Sequence, residues 1–414
     1  DVVAGSCSTL QANNMSAPVY PAKRDAGNAM PLFALGFRPF YLLAGVSAVG
    51  AIGLWLAIYA GAVNVAGYLS GMAWHRHEMI FGFACAVIAG FLLTAVRNWT
   101  GRPTPHGAAL AALVALWLLG RILILTGPAV PAAIVDVAFL PVLAVAIALP
   151  IVRSANTRNM KLLVVLAGLT AANAVYHFAA SGVLPGLMMS AATTAALDII
   201  AILIAIMGGR VIPAFTKSAI RGANPRTLFP VEAAAIGTLL LIFIAGIGEI
   251  WWPLPPTAWV ILLAAAALAH AVRLLLWQPL CTRPQPLLWM LPLAYVWLPV
   301  SLGLRAIDAA GLIPPTAAVH AFTLGAMSAL MLAMMMRSAL GHTGRPLAAG
   351  IIEITAFVLI QFATIVRVVA VIAAPANYTT LVTVSGVTWA FAFALFVVRY
   401  GPWLCQRRID GQPG

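Results

Sequence analysis

The chain has 414 residues, of which 63% are hydrophobic and only 8% charged, with a mean hydropathy of +1.01. A soluble domain of this length cannot hide so much apolar surface, so lipid must be the solvent for most of the chain. The formal net charge of +13 comes from Lys and Arg scattered singly between apolar runs, without the patch or stripe of a nucleic-acid-binding surface, so no nucleic-acid partner is expected.

Residues 1–30 have no apolar core of a signal peptide and read as a disordered tail, with Met15 a candidate native start and residues 1–14 upstream of it. Apolar runs long enough to cross the bilayer as helices follow at about 37–60, 74–97, 107–126, 130–152, 161–182, 187–209, 230–248, 256–277, 288–310, 317–340, 350–373 and 379–400. The predicted fold is therefore all-α and polytopic, one transmembrane domain over 31–403 with a cytoplasmic tail at 404–414. Breaks such as WWPLPP (251–256) and AAPAN (373–377) separate neighbouring spans, and 210–229 is the one long basic loop.

Placing the N-terminus inside puts 19 of the 23 Lys and Arg on the cytoplasmic side. The four others, Arg76, Arg121, Arg305 and Arg367, all fall in or near the outer third of a span. His75, His77, Glu78, His177 and His320 fall on the same level, with Asp136, Glu249 and Asp308 also on the outer side. Ionisable groups at membrane depth are costly and mark a functional site by default. Both termini are expected on the cytoplasmic side and the site on the opposite side of the membrane.

An internal repeat supports the same layer. His77 precedes the Thr of WTGRP (99–103) by 23 residues, His320 precedes the Thr of HTGRP (342–346) by 23, and Gly82 matches Gly325 between them. The interval spans roughly 35 Å of helix, so each copy has His at one face and Gly-Arg-Pro at the other. Span 6 ends in GGRVIP (208–213) at the matching inner position, as a weaker third copy without the histidine. Spans 2, 6 and 10 are thus expected to be equivalents in a bundle of three four-helix units. Thr-Gly-Arg-Pro also reads simply as a helix stop with an anchoring charge.

Residues two apart lie about 200° around a helix, so His75 and His77 point to nearly opposite sides and cannot both ligate one ion. His177 and His320 supply imidazoles from other spans. Neutral imidazole suits iron, copper or zinc, and a haem needs an axial His plus cations for its propionates, a task open to Arg76, Arg121, Arg305 and Arg367. A haem would be non-covalent, since Cys-x-x-Cys-His is absent. Glu78 reads as a proton relay or as the orienter of a ligand histidine, or as a partner of Arg76. Asp198, deep in span 6, reads as a proton or ion site. His106, His270 and His342 lie away from this layer and read as structural or solvated, and the methionines at 327, 331, 334, 335 and 336 as packing. Cys7, Cys85, Cys281 and Cys405 offer no pair on an oxidising side, so no disulfide is expected.

PLFALGFRPFYLLAG (31–45), WHRHEMIFGFACAVIAGFLLTAVRNWTGRP (74–103) and HAFTLGAMSALMLAMMMRSALGHTGRP (320–346) closely resemble the NnrS family, and the resemblance covers the whole span region. It implies a haem- and copper-containing membrane protein of bacterial denitrification and the nitric oxide response. The arrangement of spans 2, 6 and 10 also resembles the catalytic subunits of haem-copper oxidases and nitric oxide reductases, in architecture only. The adjacent His pair and the His-x-His of those enzymes are missing, position 322 being Phe. The expected function is nitric oxide binding and reduction to nitrous oxide, a nitric oxide reductase-like oxidoreductase activity with electrons from a quinol or a separate donor. A non-catalytic protein that binds nitric oxide or handles damaged haem, copper or iron is the second expectation, and a secondary transporter of an anion through Asp198 and the outer arginines the third.

Overall fold

The computed structural model describes residues 30–65, 67–69 and 71–412. Among these, twelve helices are long and apolar enough to cross a membrane, and there is no strand. They are α1 (Phe37–Tyr59), α2 (Gly71–Thr100), α3 (Ala108–Thr126), α4 (Ala129–Arg153), α5 (Lys161–Ala180) and α6 (Leu187–Ala219). Then come α7 (Phe229–Gly248), α8 (Pro256–Leu276), α9 (Pro286–Ala309), α10 (Pro315–His342), α11 (Ile351–Ala373) and α12 (Tyr378–Leu404). Helix is the form that lets an apolar chain satisfy its backbone within one segment, which lipid requires. The end at which α2, α6 and α10 begin is called the head below, and the opposite end the foot.

The central windows of α2, α6 and α10 are 89%, 61% and 72% buried, more than those of any other span, whereas α7 and α8 reach only 17% and 28%. These three are thus the inner helices, in line with three four-helix units. The ring closes where α1 packs on α2 and on α12. The closure is polar at the foot, where the fully buried Arg38 donates to the carbonyls of Leu404 at 3.0 Å and Gln406 at 2.6 Å. A cation there caps free carbonyls at the negative end of α12. The arginine of the FRPF stretch is therefore a clasp at the foot.

Among the described residues, three stretches are π-helical: Glu78–Ala84 in α2, Ala321–Ser328 in α10 and Val366–Ala370 in α11. The wider π turn displaces carbonyls from the α ladder, and such turns concentrate at functional sites. Trp117 uses one of them, its indole N–H donating to the Gly82 carbonyl at 3.2 Å. The π stretches of α2 and α10 begin directly after His77 and His320, so the internal repeat is a repeat of backbone form as well as of sequence.

Its matched glycines are places of close approach. A Cβ on Gly82 would lie 2.7 Å from Glu78 Oε2 and 3.0 Å from Arg121 Nη1, and one on Gly325 would lie 2.4 Å from the Trp297 ring. At the foot, Gly101 and Gly344 have φ of 65° and 77°, the left-handed cap that a helix stop calls for. Thr-Gly-Arg-Pro is thus a helix stop in both copies.

The third copy differs. The sequence puts the end of span 6 at 209, but α6 continues through Gly208, Gly209 and Pro213 to Ala219, which takes half of the expected basic loop into helix. These glycines serve packing. A Cβ on Gly209 would meet the Arg273 guanidinium at 2.1 Å and one on Gly208 the Tyr295 ring at 3.0 Å. Arg273 is fully enclosed there. Its Nε and Nη2 donate to Glu232 at 2.8 and 2.5 Å, and its Nη1 donates to the Ala205 carbonyl and Tyr295 hydroxyl. His270 joins this network through Tyr295 and the Ala235 carbonyl, which makes it structural.

Met327, Met331, Met335 and Met336 pack in the core, and Met334 lies against it. Cys85, Cys281 and Cys405 are free, and Cys7, like the rest of the expected tail up to residue 29, lies outside the described residues.

Replacing Gly325 by Ala forces the added methyl into Trp297, whose indole N–H is held by Gln361 Oε1 at 2.8 Å. Overpacking of this kind costs about 1–3 kcal/mol. The variant should therefore melt at a lower temperature than the native protein in detergent, whereas Gly303→Ala, with open space around its Cβ, should not.

Candidate metal centre

The two histidines of the α2 entry turn to different neighbours, as their separation on a regular helix requires. His77, fully buried, faces α4 and α5. Its Nε2 lies 3.1 Å from Asp136 Oδ2 and 3.1 Å from Asn173 Oδ1, and its Nδ1 lies 3.4 Å from Glu78 Oε1. His177 Nε2 reaches the same Asp136 Oδ2 at 2.9 Å, and Asn173 Nδ2 donates to that oxygen at 2.7 Å. One ligand atom from each of His77, Asp136 and His177 lies within 4.8 Å of the others, and all three residues are buried.

Arg121 from α3 ties the acids together, donating to Glu78 Oε1 at 2.8 Å and pairing closely with Asp136 Oδ1. Two carboxylates against one guanidinium leave the set with one net negative charge, a costly state inside a bundle. The remaining groups show where the missing positive charge belongs. With Nε2–H of both histidines donated toward Asp136, the Nδ1 of His77 faces a Glu78 oxygen, acceptor against acceptor, unless a proton or a cation lies there. The set could hold a proton there or, in its place, a metal ion.

His177 is oriented from its far side. The Tyr68 hydroxyl donates to His177 Nδ1, and the two rings are stacked. Tyr68 lies in the connection before α2, where burial pushes its phenol above the usual tyrosine range, so the hydroxyl keeps its proton and acts as donor. In that tautomer Nε2 carries the proton donated to Asp136; a ring that ligates a metal through Nε2 has Nδ1–H donated to the Tyr68 oxygen instead, the way outer partners hold a ligand imidazole.

His75 turns to α1 and α11. Its ring stacks on Trp55, centroids 4.5 Å apart and planes 18° apart, and its Nδ1 is buried without a hydrogen-bond partner. His320 donates from Nδ1 to the Thr316 carbonyl at 2.7 Å, which leaves its Nε2 with a free lone pair. His75 and His320 lie within electrostatic range of each other, and both within range of Arg367. Arg367 stands in the π turn of α11, with Nη1 buried and unpartnered and Nη2 donating to Tyr378 at 3.2 Å. This second set offers unspent imidazole nitrogens beside an unspent cation.

All four expected histidines thus lie at the head, sorted into the pairs His77–His177 and His75–His320. The repeat equivalents His77 and His320 belong to different pairs. Glu78 is partnered by Arg121 and His77, and no bond joins it to Arg76. Of the four arginines, Arg121 holds Glu78 and Asp136 and Arg305 holds Asp198 at 2.6 Å, while among the described residues no carboxylate pairs with Arg76 or Arg367. Asp198 and Arg305 stand apart from both histidine pairs, among α5–α9. Asp136, Asn173, Tyr68 and Trp55 are additional members of the two sets. Asp136 was signalled by an acid within a span, and Asn173 by its position one turn before His177; Tyr68 and Trp55 carried no signal.

The model of the family described as NnrS protein matches residues 31–408. The chain belongs to the NnrS family. Membership places it in the nitric oxide response, and NnrS proteins bind metal and haem, in keeping with a His–Asp cluster able to hold an ion. No curated protein shows significant similarity to the chain.

Two outcomes follow for the His77–Asp136–His177 set. Arg121→Gln removes the one cation shared by two buried carboxylates, and should cost about 3–5 kcal/mol, read as loss of folded protein in detergent extracts. Tyr68→Phe leaves every ligand atom in place but frees the His177 ring, and should weaken retention of a bound metal about 10–100-fold in competition with a chelator.

Proposed function

We propose that the protein is a haem- and copper-bearing oxidoreductase of the bacterial inner membrane, which binds nitric oxide at the head of the bundle and reduces it to nitrous oxide. The observation that carries this reading is the sorting of four buried or half-buried histidines into two separate sets, one gathered on Asp136 and the other with unspent nitrogens. His77, His177 and Asp136 form a compact set of two imidazoles and a carboxylate, suited to a non-haem ion such as copper or iron. His75 and His320, with Arg367 and its buried unpartnered Nη1 alongside, suit a haem, whose iron takes imidazole and whose propionates take a guanidinium. When bound, such metals supply open coordination positions for nitric oxide and the electron transfer that its reduction needs.

The chain's own residues supply the rest of the reaction. Two nitric oxide molecules take up two electrons and two protons and leave as nitrous oxide and water. Glu78, held by Arg121 and facing His77 Nδ1, is placed to carry a proton at its Oε1. Asp136 fixes the two imidazoles and balances the charge that such a proton brings. Nitric oxide is small and apolar and needs no polar entrance. An apolar cavity of about 400 Å³ between α9 and α11, lined by Trp297, Val368 and Val369 among others, adjoins the turn of Arg367. Electrons come from a quinol or a separate donor protein. In the membrane the termini are cytoplasmic and the head periplasmic, by the distribution of Lys and Arg. Residues 31–403 form one transmembrane domain, with 404–414 its cytoplasmic tail.

The test uses the purified full chain in nanodiscs, with metal analysis, a visible spectrum before and after nitric oxide, and an electrode that follows nitric oxide consumption with a reductant. Haem and copper should be found, nitric oxide should be consumed, and His320→Ala should alter the haem spectrum while His77→Ala should lower the copper content. A native protein that keeps its metals but leaves nitric oxide unconsumed would overturn turnover in favour of a binding or sensing role. Absence of metal would overturn the whole reading.

A further inference from the structure

The unit formed by α6–α9 has no histidine set, but encloses a cavity of about 700 Å³ with α5 at the head of the bundle. At its floor is Asp198, only 4% exposed, in α6. It lies eleven residues from the start of that helix, roughly 16 Å deep. Its Oδ1 accepts from Arg305 Nη1 at 2.6 Å, while no donor among the described residues reaches Oδ2. A buried carboxylate with one oxygen spent and one open to a cavity calls for a donor from the ligand.

The surroundings narrow the ligand class. Asp198 and Arg305 cancel, and the further charges on the lining, Glu249 and Asp308, are both acidic, so an anion is repelled and the transport of an anionic substrate is disfavoured. The walls are mostly apolar, with small residues such as Gly168, Ala171, Ala191, Ala195 and Gly246 among them that leave room for a flat group. Trp259 stands at the rim, its indole N–H donated to Glu249 Oε2 at 2.9 Å. Two of the walls, α7 and α8, are the least buried spans, so the cavity sits at the lipid-facing perimeter. A neutral molecule that arrives from the bilayer, presents a flat ring and donates a hydroxyl is a hydroquinone.

We propose that this cavity binds the ring of a membrane quinol, one hydroxyl donating to Asp198 Oδ2 and the apolar tail leaving between α7 and the lipid. The assignment rests on the reading of a quinol-fed oxidoreductase, and gives the quinol a place in the arc of the bundle without histidine pairs. Asp198 and Arg305 then form a binding pair.

The experiment uses the full-length protein in nanodiscs of quinone-free lipid, kept anaerobic and titrated with a short-chain benzoquinol. A photoreactive benzoquinone maps the contact by mass spectrometry. Saturable binding to one site is expected, with label on α6 and α7. Affinity should fall about tenfold or more in Asp198→Asn, where a charged acceptor becomes neutral. The fall should also occur in Ala195→Phe, which fills the slot and leaves the ion pair intact. Failure of the native protein to saturate, label confined to other helices, unchanged affinity in Ala195→Phe, or equally tight binding of a ringless long-chain alcohol would each overturn the assignment. Metal content and nitric oxide consumption with an artificial reductant are read on the same samples. If both persist while quinol fails to bind, this site is wrong and the proposed function stands; if quinol binds and nitric oxide is untouched, the reverse holds.

Discussion

His75 and His77 are two residues apart on a helix whose central window is 89% buried, and the α geometry sends their rings to opposite sides. Because no water surrounds α2 there, each ring has to be met by partners from other helices. His77 is met by α4 and α5 through Asp136, Asn173 and His177, and His75 by α1 through Trp55 and by the shared field of Arg367 and His320. The head of the bundle is organised around that divergence. The π turn that starts at Glu78 then turns the acid of the same stretch toward Arg121, and Gly82 leaves the room for it.

Charge in lipid has to be matched locally, and the distribution of arginine follows from that. Arg121 serves two carboxylates, Arg305 serves one and Arg38 serves free carbonyls at the foot, so three guanidiniums that look alike in sequence do three different jobs. Arg367 is the exception, with a buried nitrogen left without a partner beside two imidazoles. A buried unsatisfied donor is expensive in a finished fold. Under the proposed function, an anionic group of the haem would be its counterpart.

The three units of the bundle have diverged in what they carry. The unit of α2–α5 holds the His–Asp set, the unit that includes α10, α11 and α1 holds the His75–His320 set, and the unit of α6–α9 has a cavity with an Asp–Arg pair at its floor. The inner helix α6 has also lost the foot stop of its equivalents, since its two glycines are used to seat Arg273 and Tyr295. Two of the three units thus set histidines at the head, and the third has there a cavity walled by the least buried spans.

Much of this was determined by the sequence alone. Twelve apolar runs specify twelve spans, because lipid permits hardly any other fold of such a chain. The costly residues specify a polar level at the head, because an ionisable group in lipid needs a partner. The repeat specifies α2 and α10 as equivalents, and helical geometry by itself separates His75 from His77. Tertiary structure alone decided the partners. Pairing across helices depends on rotation and depth, which periodicity within one helix does not encode, so the sequence equivalence of His77 and His320 gave no hint that each lies with a different histidine. For the same reason Asp136 and Tyr68 became members of the site only through packing, and Arg305 left it for Asp198. GGRVIP shows the limit most simply: a stretch that reads as a helix stop is a seat for Arg273, because glycine serves both uses and only the neighbouring helix decides which.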